Sequence, residues 1–327
     1  MYRILFITRS DLERIPAGDT IQIKSLVNSL EKRGLKIDLS YDSKPDHGDY
    51  DLVHCFNILR IKNVAPQIHR MLDRNIPLII TPIYWNMEKY LRKIKPEKIS
   101  SWKKNQKIRG EILNYADIIA PNGWGEWEIL RKDFSLKKDC RIIYNGVDSF
   151  FYNMGSLRKR HGIISVGRIH SRKNQLSIIK ALRGLNIPLI FIGDVNDTYY
   201  YKKCIDAAEG YRNIRFHRSV GKYSLLKFYK SSKVHVLASW YDTPGLVNLE
   251  AGLAGCEVVT TKRGTAKEYL GNRAHYCEPE NIKQIREVVL TAYNKVSSNE
   301  LSLQILNNYT WGIIAANVEK IYSELLT

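Results

Sequence analysis

Ser239–Gly255 reads S-W-Y-D-T-P-G-L-V-N-L-E-A-G-L-A-G, and this stretch decides the fold of the second half of the chain. The apolar run Val234–Ala238 leads into it and predicts a buried strand. Thr243 and Pro244 then predict the start of a helix, because Thr is a good N-cap and Pro is tolerated in the first turn. A strand that runs directly into a helix indicates an α/β fold with the helix N-terminus above the end of a sheet.

The first turn of this helix predicts an anion-binding site. A helix N-terminus favours a phosphate, and Gly245 lets a ligand approach the backbone. Asp242 precedes the turn and Glu250 follows eight positions later. This spacing predicts that the two carboxylates flank one ligand from the same side, one facing a sugar and the other a ribose. The turn itself is predicted to bind this ligand through Pro244, Gly245, Leu246 and Val247.

The acid-x7-acid spacing resembles the signature of the retaining GT-B glycosyltransferases, in particular the large family 4, which is usually written with Glu in both places. Asp242 stands in the first place here and is shorter by one methylene. A contact that Glu would make to a sugar hydroxyl must then come from a shifted backbone, a water or a different sugar. The identity of the donor sugar therefore stays open.

A second motif, V-G-R-I-H-S-R-K-N-Q at 166–175, follows a predicted strand. Gly167 leaves room for a ligand, and Arg168 and Lys173 lie above the carboxyl end of the strand, where open α/β sheets bind ligands. The resemblance implies that these two cations hold the donor diphosphate. They would replace a metal ion in absorbing the negative charge of the departing nucleoside diphosphate. Arg172 and His170 are alternates in the same loop.

The remaining donor contacts come from the resemblance alone. It implies that the loop Arg218–Val220 receives the base, largely through backbone atoms, although Arg218 stands where many relatives have a glycine. R-G-T-A-K-E-Y-L at 263–270 matches the glycine-rich turn and acid of the family through Gly264 and Glu268.

The acceptor side is expected in the first half of the chain, where the resemblance places the loop around Gly18 under the active-site cleft. His54 alternates inward on a predicted strand and is either a core histidine or a cleft residue. Ile83 stands where many relatives carry a histidine, so no general base carries over. That departure suits a retaining mechanism in which the leaving phosphate accepts the proton. Tyr84 and Trp85 either form an acceptor platform or cap the sheet.

Length and alternating patterns predict two domains. The chain has 327 residues, too many for a single core. Apolar strands that alternate with helices predict parallel sheets covered on both faces. I-I-Y-N-G-V-D at 142–148 resembles the end of the family's first domain, so the expected architecture is GT-B, two Rossmann-like domains facing across a cleft. The predicted domains are 1–153 with a C-terminal helix 312–327 crossing back to it, and 154–311.

Local patterns also predict individual elements of the first domain. They include a helix over 20–33, a strand over 116–122, a helix over 126–134 and a strand over 141–144.

The net charge and the cysteine content limit the kinds of binding partner and the cellular compartment to be expected. The net charge of +18 calls for nucleic acid, an anionic membrane or phosphorylated substrates. The five cysteines are odd in number and widely spaced, which is typical of reduced residues in a cytoplasmic protein. Asp49 and Asp51 spell D-x-D, but no other carboxylate cluster lies nearby, so a metal site is not predicted.

Met87–Glu111 concentrates nine Lys and Arg residues, interleaved with Tyr90 and Trp102 and interrupted by Pro96. A basic helical segment with aromatic residues either lies on an anionic membrane surface or is a solvated face of a basic protein. In the membrane interpretation, Tyr90 and Trp102 add interfacial anchoring, and the protein is peripheral at the inner face.

The predicted function is a metal-independent, retaining glycosyltransferase without a cofactor. Its partners would be a UDP- or GDP-type nucleotide sugar and a glycan or lipid-linked acceptor, with nucleic acid disfavoured because no DNA- or RNA-binding signature occurs. Two alternatives stay open: a transferase acting on modified nucleic acid, and a non-catalytic relative that binds a nucleotide sugar.

Overall fold

The computed structural model describes residues 2–41, 48–152 and 160–326. Backbone contacts divide the chain into two units. Unit 1 consists of Met1–Gly146 and Trp311–Thr327, and unit 2 of Val147–Thr310. The predicted boundary between residues 153 and 154 lies outside the described residues.

Strands and helices alternate through both units. The strands are β1 Arg3–Ile7, β2 Lys36–Ser40, β3 Leu52–Phe56, β4 Leu78–Thr81, β5 Ile118–Ile119, β6 Ile163–Val166, β7 Leu189–Ile192, β8 Ile214–His217, β9 Val234–Leu237, β10 Glu257–Thr261 and β11 His275–Cys277. The helices are α1 Gly18–Glu31, α2 Ile61–Met71, α3 Glu88–Ile94, α4 Ile99–Tyr115, α5 Trp124–Phe134, α6 Gln175–Leu182, α7 Thr198–Ala208, α8 Lys222–Ser231, α9 Leu246–Leu253, α10 Ala266–Leu270, α11 Ile282–Asn294, α12 Glu300–Asn308 and α13 Trp311–Leu326.

Each unit is built on one parallel sheet. The strand order is β2-β1-β3-β4-β5 in unit 1 and β11-β10-β9-β6-β7-β8 in unit 2. β1, β3, β4, β6 and β9 are almost wholly buried, as strands covered by helices on both faces must be. The predicted fold class, two Rossmann-like domains with parallel sheets, is confirmed.

Some predicted elements differ in extent. The helix predicted over 20–33 begins at Gly18 and ends at Glu31. The strand predicted over 116–122 shrinks to Ile118–Ile119, and the one predicted over 141–144 is wrong. There the extended chain makes single hydrogen bonds, from Arg141 N to Ile119 O and from Ile143 N to Pro121 O, without forming a ladder. The structure adds α2, α10 and α12, which the sequence patterns did not reveal.

The basic segment 87–111 folds as α3, a short 3₁₀ turn over Pro96–Lys98, and most of α4. Tyr90 and Trp102 are buried, so the prediction that they anchor at a membrane interface is wrong. Arg109 is buried as well. Its guanidinium carbon lies 4.2 Å from the centroid of Trp102, and its Nε donates to Ile58 O at 3.0 Å. The exposed charge is therefore smaller than the composition suggests.

His54 lies in the core of unit 1. Its ring stacks on Phe56 at a centroid distance of 4.0 Å, and its nitrogens lie 2.6 Å from Tyr322 Oη of α13 and 2.8 Å from Thr81 Oγ1. Burial lowers the pKa of His54 to about 3, so the ring is neutral at ordinary pH. The core alternative for His54 therefore agrees with the structure, and its placement among acceptor residues does not.

Across the described ranges, no helix has the length and apolar character needed to cross a bilayer.

Candidate active site

The candidate site of unit 2 lies at the point where its strand order reverses. β6 is followed in the chain by β7 on one side of the sheet, while β9 lies on its other side. In open α/β sheets the loops at the carboxyl ends of two such strands diverge and leave a crevice for ligands. The loop after β6 carries Gly167, Arg168 and Lys173, and the loop after β9 carries Asp242. The sheet order thus brings two sequence motifs, 69 residues apart, to one edge.

Lys173 and Asp242 form an ion pair in this crevice. Lys173 Nζ donates to Asp242 Oδ1 at 2.7 Å, and Arg172 Nη1 lies 3.7 Å from the same oxygen. Burial alone raises the pKa of Asp242, but the charges of Lys173 and Arg172 outweigh it and hold the pKa below its usual value. Asp242 is therefore ionised at neutral pH, and the two predicted catalytic side chains face each other.

Glycines let the neighbouring loops press against this pair. Gly264, with a φ of 111°, has no room for a side chain, because a Cβ there would lie 1.9 Å from Asp242 O. Gly193 has a φ of 154°, and its Cβ would lie 2.1 Å from Gly167 O. Sequence reasoning identified Gly264 only by resemblance and missed Gly193, whose single signal is its place directly after β7. Both positions exclude any other residue without moving the loops that carry the ion pair.

The helix after Asp242 begins later than predicted. α9 starts at Leu246, with Gly245 at the N-cap and a φ of 83°, so Thr243 and Pro244 belong to a turn joined by a cis peptide bond. Asp242 precedes this turn, as the sequence predicted, and the expectation that it and Glu250 flank one ligand stays a prediction.

The start of α9 still offers backbone donors. The backbone N–H of Asn248 already donates a hydrogen bond to Gly245 O at 2.8 Å. The N–H groups of Leu246 and Val247 are those that an α-helix leaves without an intrahelical acceptor. They remain the predicted donor-binding groups, together with Pro244 and Gly245.

Glu250 occupies a separate environment on α9. Its Oε2 accepts a hydrogen bond from Tyr229 Oη of α8 at 3.1 Å. Burial raises the pKa of Glu250 to about 7, while the hydrogen bond from Tyr229 lowers it. Asp148 raises this pKa further, and Lys222 lowers it. Tyr229, which the sequence did not single out, thus favours the ionised form of a predicted donor contact against the effect of burial.

The pKa of Glu250 predicts how nucleotide binding depends on pH. If its carboxylate accepts hydrogen bonds from ribose hydroxyls, binding favours the ionised form, whose population grows as the pH rises through 7. We expect the affinity for UDP or GDP to increase ~10-fold from pH 6 to pH 8, measured by isothermal titration calorimetry.

Glu250→Gln is the matched control for that titration. It removes the ionisation of Glu250 but leaves the phosphate ionisation near pH 6 that every nucleotide diphosphate shows. The pH dependence should therefore be weaker in the variant than in the wild type. Parallel curves would remove Glu250 from the nucleotide site.

The other donor-side residues lie at the same edge of the sheet. Gly167 has a φ of 146°, and Gln175 Nε2 donates to Arg168 O at 2.9 Å, which holds that loop. Burial lowers the pKa of Lys173, and so do the charges of Arg172 and Arg168, whereas the charge of Asp242 raises it. The charge of Arg168 thus acts on the ammonium of Lys173, and its contact with the donor stays a prediction. Arg218 is exposed and Val220 partly buried in the loop after β8.

The residues predicted to lie on the acceptor side belong to unit 1, and the structure places them in different environments. Gly18 is exposed at the start of α1, and a Cβ there would meet no atom within 4 Å, so space does not require a glycine at this position. Tyr84 is fully buried, and its hydroxyl lies 2.6 Å from Asp133 Oδ2. Trp85 is also buried, 5.7 Å from Tyr90 between ring centroids. These two aromatic residues form no exposed platform and pack in the core.

Unit 1 has its own strand-order reversal, between β1 and β3. Arg9, at the end of β1, is 1% exposed and donates from Nε to Asp19 Oδ2 at 2.8 Å. Asn57, at the end of β3, donates from Nδ2 to the same oxygen at 2.6 Å. Sequence reasoning missed this polar cluster, because a charged residue after a strand resembles an ordinary loop residue until the sheet order is known.

Within the described part of the chain, no group of three His, Cys, Asp or Glu side chains is arranged to hold a metal ion.

Residues 154–304 match the protein family described as Glycosyl transferases group 1. An uncharacterized glycosyltransferase of Methanocaldococcus jannaschii is 26% identical over 216 residues, which are 57% of this chain and 55% of that protein. Glycogen synthase of Mycobacterium tuberculosis is 25% identical over 202 residues, or 56% of this chain and 48% of that protein. The chain thus spans about half the length of the curated relatives it matches.

Solved structures resemble the whole chain. Sucrose-phosphate synthase from Thermosynechococcus elongatus has a TM-score of 0.82 at 16% identity, covering 99% of both chains. Anabaena HepE in complex with UDP and glucose has a TM-score of 0.77 at 16% identity, covering 99% of this chain and 100% of the other. At this identity the likeness shows the fold, and it confirms the GT-B class.

Proposed function

We propose that this chain, whose residues 154–304 form a Glycosyl transferases group 1 domain, transfers a sugar from a nucleotide diphosphate donor to an acceptor hydroxyl. The observation that carries the proposal is the 2.7 Å ion pair between Lys173 and Asp242 at the strand-order reversal of unit 2. The pair places a cation for a phosphate beside a carboxylate for a sugar hydroxyl. Unit 2 would bind the donor, and unit 1 would supply the acceptor contacts.

The cations around the pair support a metal-independent departure of the leaving group. Loss of a nucleoside diphosphate places negative charge on the outer phosphate, and fixed cations in a partly buried site stabilise that charge without reorganisation. Lys173 and Arg172 lie within 4 Å of one carboxylate oxygen, and Arg168 is close enough to lower the pKa of Lys173. In the proposed reaction these cations bear the charge of the leaving group.

Retention of the anomeric configuration, as in family 4, is part of the proposal. In a retaining reaction of this kind the departing phosphate itself accepts the proton of the acceptor hydroxyl, so no separate general base is needed. Ile83 is consistent with this, because it lies two residues after β4, at the position where many family relatives carry a histidine, and His54 is buried and neutral.

The proposal that the chain binds a nucleotide sugar is supported by the ligands of structurally similar proteins. Anabaena HepE is described in complex with UDP and glucose, and a trehalose-phosphate synthase from Burkholderia xenovorans in complex with glucose-6-phosphate. By analogy, we propose a UDP- or GDP-linked sugar as donor and a sugar hydroxyl on a glycan or lipid carrier as acceptor.

A panel of nucleotide sugars tests the proposal. Each donor is incubated with the purified protein, and release of nucleoside diphosphate is measured with and without glycan acceptors. Turnover of one donor supports a transferase and identifies the sugar, and the anomeric configuration of the product, read by NMR, decides retention. Tight binding without turnover of any donor would favour a non-catalytic nucleotide-sugar-binding protein.

We also propose that the protein works in the cytoplasm and associates peripherally with an anionic membrane surface through the segment 87–111. Lys103, Lys104 and Lys107 are exposed on α4, and Lys98 is exposed just before it. Such a surface attracts anionic lipid with about 1 kcal/mol per Lys near the headgroups. The buried positions of Trp102 and Tyr90 make this attraction electrostatic, without aromatic anchors.

The triple variant Lys103→Gln, Lys104→Gln and Lys107→Gln tests the membrane contact. We expect it to lose ~100-fold in affinity for vesicles of phosphatidylserine and phosphatidylcholine at low salt, since three such contacts are worth about 3 kcal/mol. Sedimentation with the vesicles measures this. Wild-type binding should disappear at high salt.

A charge-matched control lies in unit 2. Arg215, Lys227 and Lys230 are also exposed, and changing them to Gln removes the same three charges. Equal losses in both triple variants would attribute binding to net charge alone. Tight binding to duplex DNA without binding to vesicles would instead favour a nucleic-acid acceptor.

A further inference from the structure

A buried histidine lies on β9, the strand that leads to Asp242 of the candidate site. His235 is on β9, is 0% exposed, and points into the core at the strand-order reversal. Burial lowers the pKa of His235 to about 3, the charge of Lys173 lowers it further, and Asp242 and Asn248 act in the opposite direction. The ring is therefore neutral, and it lies close to both members of the ion pair. The sequence patterns did not single it out.

The ring replaces a missing strand contact. β6 and β9 pair only at Ile163 with Val234 and at Ile164 with His235, and beyond these positions the two strands separate. Ile163 and Gly167 donate their N–H groups to the β7 side, so the alternation of a strand directs the N–H of Val166 towards β9. There Val166 N donates to Nε2 of His235 at 3.5 Å.

This contact determines which nitrogen carries the proton. An amide N–H can only donate, so Nε2 accepts and the proton of the neutral ring is on Nδ1. Within the described residues neither Nδ1 nor Oδ1 of Asn248 makes a hydrogen bond of ordinary geometry. The side chain of Asn248 nevertheless raises the pKa of His235, so the two side chains lie next to each other. The N–H donor at Nδ1 of His235 and the acceptor Oδ1 of Asn248 therefore lie on neighbouring buried side chains and could serve as partners.

Asn248 extends the connection to two further loops. Its Nδ2 donates to Pro244 O at 2.8 Å and to Thr260 Oγ1 at 3.0 Å. Pro244 belongs to the turn after Asp242, and Thr260 lies in β10 next to the loop of Gly264 that presses on Asp242 O. Val166 directly precedes Gly167 and the loop of Arg168 and Lys173. The side chains of His235 and Asn248 therefore join the ends of β6, β9 and β10.

We infer that His235 is a positioning residue that, through Val166 on one side and Asn248 on the other, sets the separation of the loops carrying Lys173 and Asp242. The inference rests on the proposed function, because its consequence is the placement of the donor diphosphate. The ring makes no hydrogen bond to the side chain of Lys173 or Asp242. Its effect on them is therefore transmitted through the backbone of β6 and the turn before α9.

Three substitutions separate the two contacts. His235→Leu removes both. His235→Gln can place a carbonyl oxygen near the position of Nε2 and keep the acceptor for Val166, while His235→Asn can place an amide near Nδ1 and keep the donor towards Asn248. His217→Gln is the control, because His217 is an exposed histidine on β8 of the same sheet.

The readout is the ratio of the affinities for UDP and UMP, or for GDP and GMP if the protein prefers guanine, measured by titration calorimetry. UMP lacks the second phosphate that the loop of Lys173 would hold. We expect His235→Leu to lower UDP affinity ~10-fold and donor turnover ~100-fold while UMP affinity stays within about twofold. His235→Asn and His235→Gln should lie between, and His217→Gln should match the wild type.

Two outcomes would overturn the inference. Both leave the UDP-to-UMP ratio of the variant as in the wild type. In the first, the two affinities stay at their wild-type values, and in the second both fall by the same factor, which indicates general damage to the unit. If His235→Leu does not fold, the Asn and Gln variants decide by the same criteria. A wild-type protein that binds neither UDP nor GDP overturns the proposed function and this inference together, whereas wild-type binding with an unchanged ratio overturns the inference alone.

Discussion

Lys173→Ala should lower donor turnover by ~100-fold or more, because it removes the cation that we propose to stabilise the developing charge of the leaving diphosphate. The side chain is 14% exposed and pairs with Asp242 at 2.7 Å, so water cannot readily replace it. Turnover is measured as nucleoside diphosphate release with the productive donor. Turnover close to the wild-type value would remove Lys173 from the reaction.

Stability must be separated from chemistry in this experiment. Without Lys173 the buried carboxylate of Asp242 loses its main partner, which costs about 3 kcal/mol of the free energy of unfolding. The double variant Lys173→Met and Asp242→Asn removes both charges and should recover most of that stability, as denaturant unfolding will show. Its turnover should stay low. Recovery of turnover together with stability would mean that the pair serves folding alone.

Lys180→Ala provides the control for the loss of one positive charge. Lys180 is exposed on α6, seven residues after Lys173. Its removal changes the net charge equally but leaves the crevice intact. We expect wild-type turnover, and a loss comparable to that of Lys173→Ala would point to long-range electrostatics rather than a local contact.

Asp242→Asn should lower turnover ~100-fold while leaving the affinity for free UDP or GDP unchanged or higher. The amide cannot accept as strongly from a sugar hydroxyl, which explains the loss of turnover. In the ligand-free protein the carboxylate of Asp242 is paired with Lys173, so an incoming phosphate must compete with it. Neutralising Asp242 leaves the ammonium of Lys173 available to the diphosphate. Kinetics with the productive donor and calorimetry with the free nucleotide measure the two quantities.

Parallel losses of turnover and affinity would give Asp242 a structural role. Asp206→Asn is the control, since Asp206 is exposed on α7 and pairs only with Lys202 among the contacts of the described residues, at 3.3 Å. It should leave both quantities as in the wild type. A drop of similar size there would show that the assay responds to net charge.

Local sequence determined the alternation of strands and helices. The buried parallel strands are short apolar runs and most helices carry an apolar face, so most elements of both units could be predicted from patterns within about ten residues, although α2, α10 and α12 could not. The motifs around Lys173 and Asp242 were recognisable for the same reason, because glycines, a proline and charges directly after a strand mark a loop at the carboxyl edge.

Local sequence did not determine where the helix after Asp242 begins. Thr243 and Pro244 have the propensities of a helix start, yet α9 begins at Leu246. The turn is held by tertiary contacts, because Asn248 Nδ2 binds Pro244 O and the loop of Gly264 packs on Asp242 O. Those contacts involve a different strand, so capping preferences could not reveal them.

The tertiary structure alone decided burial and pairing. Tyr84, Trp85 and Trp102 could equally have been surface aromatics, and only the packing of α3, α4 and α5 around them removes them from solvent. Lys173 and Asp242 each looked like a ligand contact, and only the adjacency of β6 and β9 makes them partners of each other. Propensity and periodicity act between residues near in sequence, whereas burial and ion pairing depend on which strands become neighbours in the sheet.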